Sequence, residues 1–194
     1  MRIIDNSIQF PPQTLNISEG TFKGANVIES TKAIGQLQNI FLDEEARLAM
    51  DQSQQVYRVQ AHLPVPEGTT AGLFFGTTWI QPGTVGDEYF VTHGHFHQLI
   101  DRGEYYWGLK GHGVLILMDE QRNGRAEYMS PGSLHYIPAN TAHRVANIGN
   151  DELVFGACWP SDAGHNYDEI RNHGFSKRLF NRDGVPTLED IQIA

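Results

Sequence analysis

The pattern of apolar and polar positions changes near residue 55. Residues 1–30 are mixed and weakly periodic, and Pro11-Pro12 is incompatible with regular helix. Over 31–50, Ile34, Leu37, Ile40, Phe41, Leu48 and Ala49 recur at spacings near three and four, which predicts helix. Within it, Asp43-Glu44-Glu45-Ala46 predicts a second short helix starting near Asp43, because acids favour a first turn. From 55 onward, short apolar or alternating runs are divided by Gly, Pro, Asn and Asp. Strands are predicted at 55–61, 72–81, 87–93, 104–109, 113–119, 125–129, 133–137, 143–148 and 152–159. Asn123-Gly124 predicts a type I′ hairpin turn. Gly111-His112-Gly113 predicts a tight turn between strands, since no helix follows to complete a phosphate loop. After Pro160 the chain is mixed, with a short helix expected near 167–173. Eight or nine short strands at near-regular spacing make an all-β sandwich or barrel. The expected organisation is a barrel over 55–160, an N-terminal extension of helix and strands packed on it (1–54), and a C-terminal segment of short helices (161–194).

Composition narrows the chemistry. The 194 residues, 40% apolar and 19% charged, suit a single globular unit. One cysteine excludes an intrachain disulfide and any Cys₄ or Cys₂His₂ zinc module. A net charge of −9 makes nucleic acid a poor partner. No apolar run approaches the roughly 18 residues that span a bilayer, and Met1–Asn6 carries no apolar secretion core, so a cytoplasmic location without membrane contact is expected. The unusual entry is histidine, nine of them. A metal site here has to be built from imidazole and carboxylate.

Thr92-His93-Gly94-His95-Phe96-His97 supplies the candidates. Residues two apart on a strand share a face, so His95 and His97 project together and Phe96 opposes them. His93 has the same parity, but Gly94 leaves its direction open. Glu104 follows the turn at Asp101-Arg102-Gly103 and can return a carboxylate beside the imidazoles. His143, where Pro138-Ala139-Asn140 feeds another strand, is a fourth ligand candidate. Three imidazoles and one carboxylate leave positions open on a six-coordinate ion and suit Fe(II), Mn(II), Ni(II) or Zn(II). Other signals read as structure. Cys158 should be a buried small hydrophobe, His62 and His135 structural, His112 exposed, and Trp79, Trp107 and Trp159 barrel packing. Glu88 reads equally as a pocket acid or a turn residue, and His173 has no evident partner.

Together these residues resemble the two cupin motifs, as His95-x-His97-x6-Glu104-x6-Gly111 and Pro131-Gly132-x5-Pro138-x4-His143-x3-Asn147. The commonest cupin form has three or four residues before the glutamate. The longer gap, with Pro82-Gly83-x2-Gly86-x-Glu88-Tyr89-Phe90, Ala142-His143-Arg144 and Pro160-x-Asp162-Ala163-Gly164-His165-x-Tyr167, is similar to the cupin-type glucose-6-phosphate isomerases over roughly 72–170. The resemblance implies a cupin double-stranded β-helix, a divalent metal, a homodimer, and interconversion of glucose 6-phosphate and fructose 6-phosphate. It also implies roles by position. His95, His97, Glu104 and His143 match metal ligands. Thr78, Thr92 and Gly94 match positions near the sugar phosphate, and Tyr106, His165 and Tyr167 match polar residues of the substrate pocket.

The chemistry follows from this set. A divalent ion polarises the C1 and C2 oxygens of an aldose or ketose, and Glu104 is the carboxylate for proton transfer, with a hydride shift as the alternative. The substrate is a dianion and the chain is acidic, so local donors have to hold the phosphate. His93 stands where relatives in that family often carry lysine, which predicts weaker binding as pH rises from 6 to 8. An Fe(II) cupin dioxygenase and a non-catalytic sugar-phosphate-binding cupin are the competing readings of the same ligand set.

Overall fold

The computed structural model describes residue 11 and residues 13–191. Met1–Asn6 and Pro12, which figured above, lie outside them. Fifteen strands and two helices follow one another. The N-terminal elements are β1 (Gln13–Asn16), β2 (Thr21–Gly24), β3 (Val27–Ala33) and α1 (Glu44–Ala49). Next come β4 (Gln55–His62), β5 (Leu73–Ile80), β6 (Thr84–Val85), β7 (Glu88–Tyr89), β8 (Glu104–Lys110), β9 (Gly113–Asp119), β10 (Gly124–Met129), β11 (Leu134–Ile137), β12 (Thr141–Asn147) and β13 (Leu153–Pro160). The chain ends with α2 (Asp168–His173), β14 (Lys177–Arg182) and β15 (Val185–Asp190). No helix among them is long and apolar enough to cross a membrane.

A six-stranded sheet, β11-β8-β13-β5-β4-β3, carries one wall of an all-β cupin barrel, and β10-β9-β12 carries the other. Alternation positions the inner face. On β8, Glu104 and Tyr106 point inward and are buried, whereas Tyr105 stands outward at 47% exposure. β9 is apolar throughout (Val114 to Met118) because its two faces are covered, as a continuous apolar run requires. The segment after β7 is irregular. It reaches β12 only through single bridges, Val91 to Ala146 and His95 to His143, so the strand expected at 87–93 is interrupted.

Of the helix expected over 31–50, only the part from Asp43 onward forms. Thr31–Ala33 completes β3, Ile34–Gln36 is one 3₁₀ turn, and only Glu44–Ala49 is α-helical. Val27, Ile28 and Thr31 are β-branched and favour strand, and Asn39 turns the chain in a left-handed conformation (φ 63°). Ile34, Leu37, Ile40 and Phe41 are nevertheless all buried. Their spacing recorded burial, not helix. The short helix at Asp43 does form, with the Asp43 carboxylate accepting from Ala46 N–H at 2.8 Å.

Two turns also differ from expectation. The β9–β10 loop runs through residues 119–123, with positive φ at Arg122 and Gly124 already in the strand, so Asn123-Gly124 is not a two-residue turn. Asn123 instead donates to Asp119 across that loop. Two-residue turns lie elsewhere, at Gly86-Asp87 between β6 and β7 and at Asp183-Gly184 (φ 53° and 82°), which closes β14 on β15 with Arg182 opposite Val185. The C-terminal segment is thus one helix and a hairpin, not short helices alone.

Glu88 is neither a pocket acid nor a turn residue. It is buried, accepts from Arg178 Nη1 at 3.0 Å and Leu42 N–H at 2.7 Å, and lies 3.6 Å from Arg144 Nη2. It ties β7, β12 and β14 together under the barrel. Glu88→Gln leaves two buried guanidinium groups without a counter-charge. It should cost about 3–5 kcal/mol in urea unfolding. A midpoint within error of wild type would count against this role.

Candidate active site

Gly94 creates the bend that sets the site. Its φ is +78°, and a Cβ there would meet Phe175 at 2.6 Å and Arg144 Cβ at 2.9 Å. Beyond it the segment runs extended against β12, with His95 N–H donating to His143 O at 3.4 Å and His143 N–H to His95 O at 3.1 Å. The register places the two rings side by side, centroids 4.5 Å apart. β8 brings in Glu104 from the opposite wall. Its Oε2 lies 3.2 Å from His97 Nε2 and 3.1 Å from His143 Nε2. Ligand-capable atoms of His95, His97, Glu104 and His143 all fall within 4.8 Å of one another.

Hydrogen bonds on the far side of the rings orient them. His97 Nδ1 faces Arg102 O at 2.9 Å and His143 Nδ1 faces Thr141 O at 3.1 Å. A carbonyl can only accept, so the proton sits on Nδ1 and each Nε2 lone pair points inward. Both Nε2 of His95 and Nε2 of His143 are buried without a hydrogen-bond donor. Inward lone pairs and a carboxylate thus converge with no protein donor among them, which is the arrangement a cation requires. Burial, and then the neighbouring imidazoles of His143 and His165, drive His95 well below the usual histidine range, so it stays neutral. Burial also pushes His97 down, but the Glu104 carboxylate outweighs it and leaves the net shift upward. Burial works against the Glu104 charge, yet His143 and His97 hold its carboxyl below the ordinary value.

A cavity of about 150 Å³ opens on this cluster. Thr78, Thr92, Gly94, Tyr106, His165 and Tyr167 all line it, together with His95, Glu104 and His143, while His97 sits buried behind them. Thr92 Oγ1 accepts from Val145 N–H at 3.1 Å, which leaves its own hydrogen free to donate. His165 stacks on Tyr167 (5.8 Å, 5°) and stands 4.4 Å from the His95 ring.

The cavity also holds residues that the sequence did not single out. Tyr57 lies on the inner face of β4, its hydroxyl 3.5 Å from His93 N–H, and Val59, Gly76, Phe155 and Ala157 complete the wall. Trp159, read as packing, both packs on Phe74 and lines the cavity. Inward parity on β4 was the available signal for Tyr57. Burial, then the charges of Arg171, Lys32 and Arg144, push His93 down to about 4. It is therefore neutral from pH 6 to 8, and the loss of phosphate affinity expected from its titration over that range does not follow.

The remaining histidines sit apart. His135 is buried between Glu127 and Ser133, His112 is exposed against the Tyr128 hydroxyl, and His173 faces Glu169. His62 is half-buried, its Nε2 without a partner. Cys158 is only half-buried.

The family model described as glucose-6-phosphate isomerase matches residues 31–190. The glucose-6-phosphate isomerase of Thermococcus kodakarensis is 39% identical over 179 residues, covering 91% of this chain and 92% of its own. That of Pyrococcus furiosus is 34% identical with the same coverage. Among solved structures, oxalate decarboxylase from Bacillus subtilis gives a TM-score of 0.44 at 18% identity, over 56% of this chain and 26% of that one. By the extent of the family match and the identity to these relatives, the chain belongs to the glucose-6-phosphate isomerase family.

Proposed function

We propose that the protein is a metal-dependent aldose–ketose isomerase that interconverts glucose 6-phosphate and fructose 6-phosphate, with His95, His97, Glu104 and His143 holding one divalent ion. The observation that carries the metal is the convergence of inward imidazole lone pairs and the Glu104 carboxylate on one buried point. The donor set of three nitrogens and one carboxylate suits Fe(II), Mn(II), Ni(II) or Zn(II), iron first. When bound, such an ion supplies Lewis acidity to the C1 and C2 oxygens of the sugar.

The chain's own residues supply the rest. Glu104 is the carboxylate at the cavity wall and takes the proton from C2 of the aldose, returning it to C1 while the hydroxyl proton passes from O2 to O1. Tyr106 is buried beside Glu104, and burial, then that negative charge, drive its hydroxyl far above the ordinary tyrosine range. It remains protonated and can donate to a sugar oxygen. Burial lowers His165, so it is a neutral acceptor or donor on the opposite wall. Thr92, Thr78 and the Gly94 N–H offer donors to the phosphate.

The test is fructose 6-phosphate turnover by chelated protein reconstituted separately with Fe(II), Mn(II) and Zn(II). Chelation should remove the rate by about a hundred-fold or more, and at least one ion should restore it. No activity with any ion removes the proposal. Oxygen consumed in proportion to product would favour the dioxygenase, and binding without turnover the non-catalytic cupin. Run in deuterated water, the assay should place solvent deuterium on the product carbon. A product without it favours the hydride shift over proton transfer by Glu104.

A further inference from the structure

Among the described residues, Lys23, Lys32, Lys110 and Arg171 are the lysines and arginines with no carboxylate within 4.0 Å. In a chain of net charge −9, an unpaired cation is scarce. Two of the four flank one histidine. Lys32 on β3 stands opposite Tyr57 on β4, and paired positions of an antiparallel ladder share a face. The Tyr57 hydroxyl meets His93 N–H at 3.5 Å. On the other side, the His93 ring lies 4.7 Å from the Tyr167 ring, and the Arg171 guanidinium lies 5.8 Å over that same tyrosine. The order is therefore Lys32, Tyr57, His93, Tyr167, Arg171, of which the middle three line the cavity and the two cations flank them. Arg171 also lines an outer cleft of about 350 Å³ that shares His165 and Tyr167 with the cavity.

We propose that Lys32 and Arg171 form a two-sided cationic clamp that draws in and holds the phosphate of the substrate, beside the Thr92 and Gly94 donors. The proposal rests on the isomerase reading above and names the charges that reading lacks. Neither side chain makes a hydrogen bond or ion pair among the described residues, so neither charge is already neutralised by a partner. Both carry fixed charge, whereas the neutral wall groups offer only dipoles. Cations at the rim of a low-dielectric cleft reverse the local field for a dianion that the chain as a whole repels.

The experiment compares wild type, Lys32→Gln, Arg171→Gln and the double variant, reading fructose 6-phosphate kinetics and competitive inhibition by inorganic phosphate. Each single change should raise KM about five-fold and the pair roughly twenty-fold, with kcat within about two-fold. The phosphate inhibition constant should rise in parallel, and the salt dependence of kcat/KM should flatten. Lys32→Arg and Arg171→Lys keep the charge and should hold KM within about two-fold of wild type. Unchanged KM and phosphate inhibition in the double variant overturn the clamp, as does a loss confined to kcat. Absence of turnover in wild type is a failure of the isomerase reading. Calorimetric titration of wild type and double variant with inorganic phosphate then still decides the clamp, because equal affinities overturn it.

Discussion

Glu104→Gln should lower fructose 6-phosphate turnover by about a thousand-fold. The amide keeps the volume of the carboxylate but not its charge, and Glu104 Oε2 stands 3.1–3.2 Å from the Nε2 atoms of two ring-locked histidines. Imidazoles carry no negative charge, so the carboxylate is the sole negative charge of the cluster. Removing it weakens the hold on a divalent ion and deletes the group that carries the proton from C2 to C1. The two losses separate by measurement. Metal per subunit, read by elemental analysis beside kcat, falls with a ligand and stays with a base. Glu104→Asp retains the charge but withdraws it by about 1.5 Å, one carbon–carbon bond, and should keep the metal while losing much of kcat. A glutamine variant within ten-fold of wild-type kcat at full metal occupancy would remove Glu104 from both roles.

The barrel was legible in the chain because its strands obey a local rule. Inward and outward residues alternate on β8, and turns of Gly, Pro and Asn separate the runs, so most strand ends were anticipated within two residues. The cluster was legible for the same reason. The parity of His95 and His97, and a glutamate just past the next turn, are facts of sequence spacing. What escaped depends on distant partners. Glu88 and Arg178 are 90 positions apart, and nothing near Glu88 announces that it neutralises arginines on β12 and β14. Ile34, Leu37, Ile40 and Phe41 are periodic because a 3₁₀ turn and loop also bury residues at spacings of three and four, which periodicity alone does not distinguish from helix. Asp183-Gly184 carries a hairpin signal as strong as Asn123-Gly124 and forms the turn, whereas Asn123-Gly124 sits where a longer loop absorbs the reversal. His93 shows the electrostatic version of the same gap. Its charge state follows from burial and from cations on three other elements, none of them visible from its neighbours in sequence.

His143→Ala should abolish the stabilisation that a divalent ion confers on the wild type. An ion that binds only the folded chain adds about 2.7 kcal/mol at a hundred times its dissociation constant. For a chain of this length that corresponds to a rise in Tm of roughly 5–10 °C. His143 contributes through geometry fixed by the backbone. Thr141 O holds Nδ1–H, β12 holds the ring beside His95, and Nε2 is left buried and unpartnered. Deleting it removes one of the four donors that converge there. His165 and His93 line the same cavity, but both rings lie against Tyr167 and neither joins the four converging ligand atoms. Affinity should fall by about a hundred-fold or more, so a titration that shifts the wild-type melting curve should leave the variant's flat, and kcat at limiting metal should fall with it. Melting of the metal-free proteins separates ligation from packing, because a simple packing defect lowers both curves and still lets the ion raise the variant's Tm. A variant with the wild-type metal-induced shift would take His143 out of the ligand set.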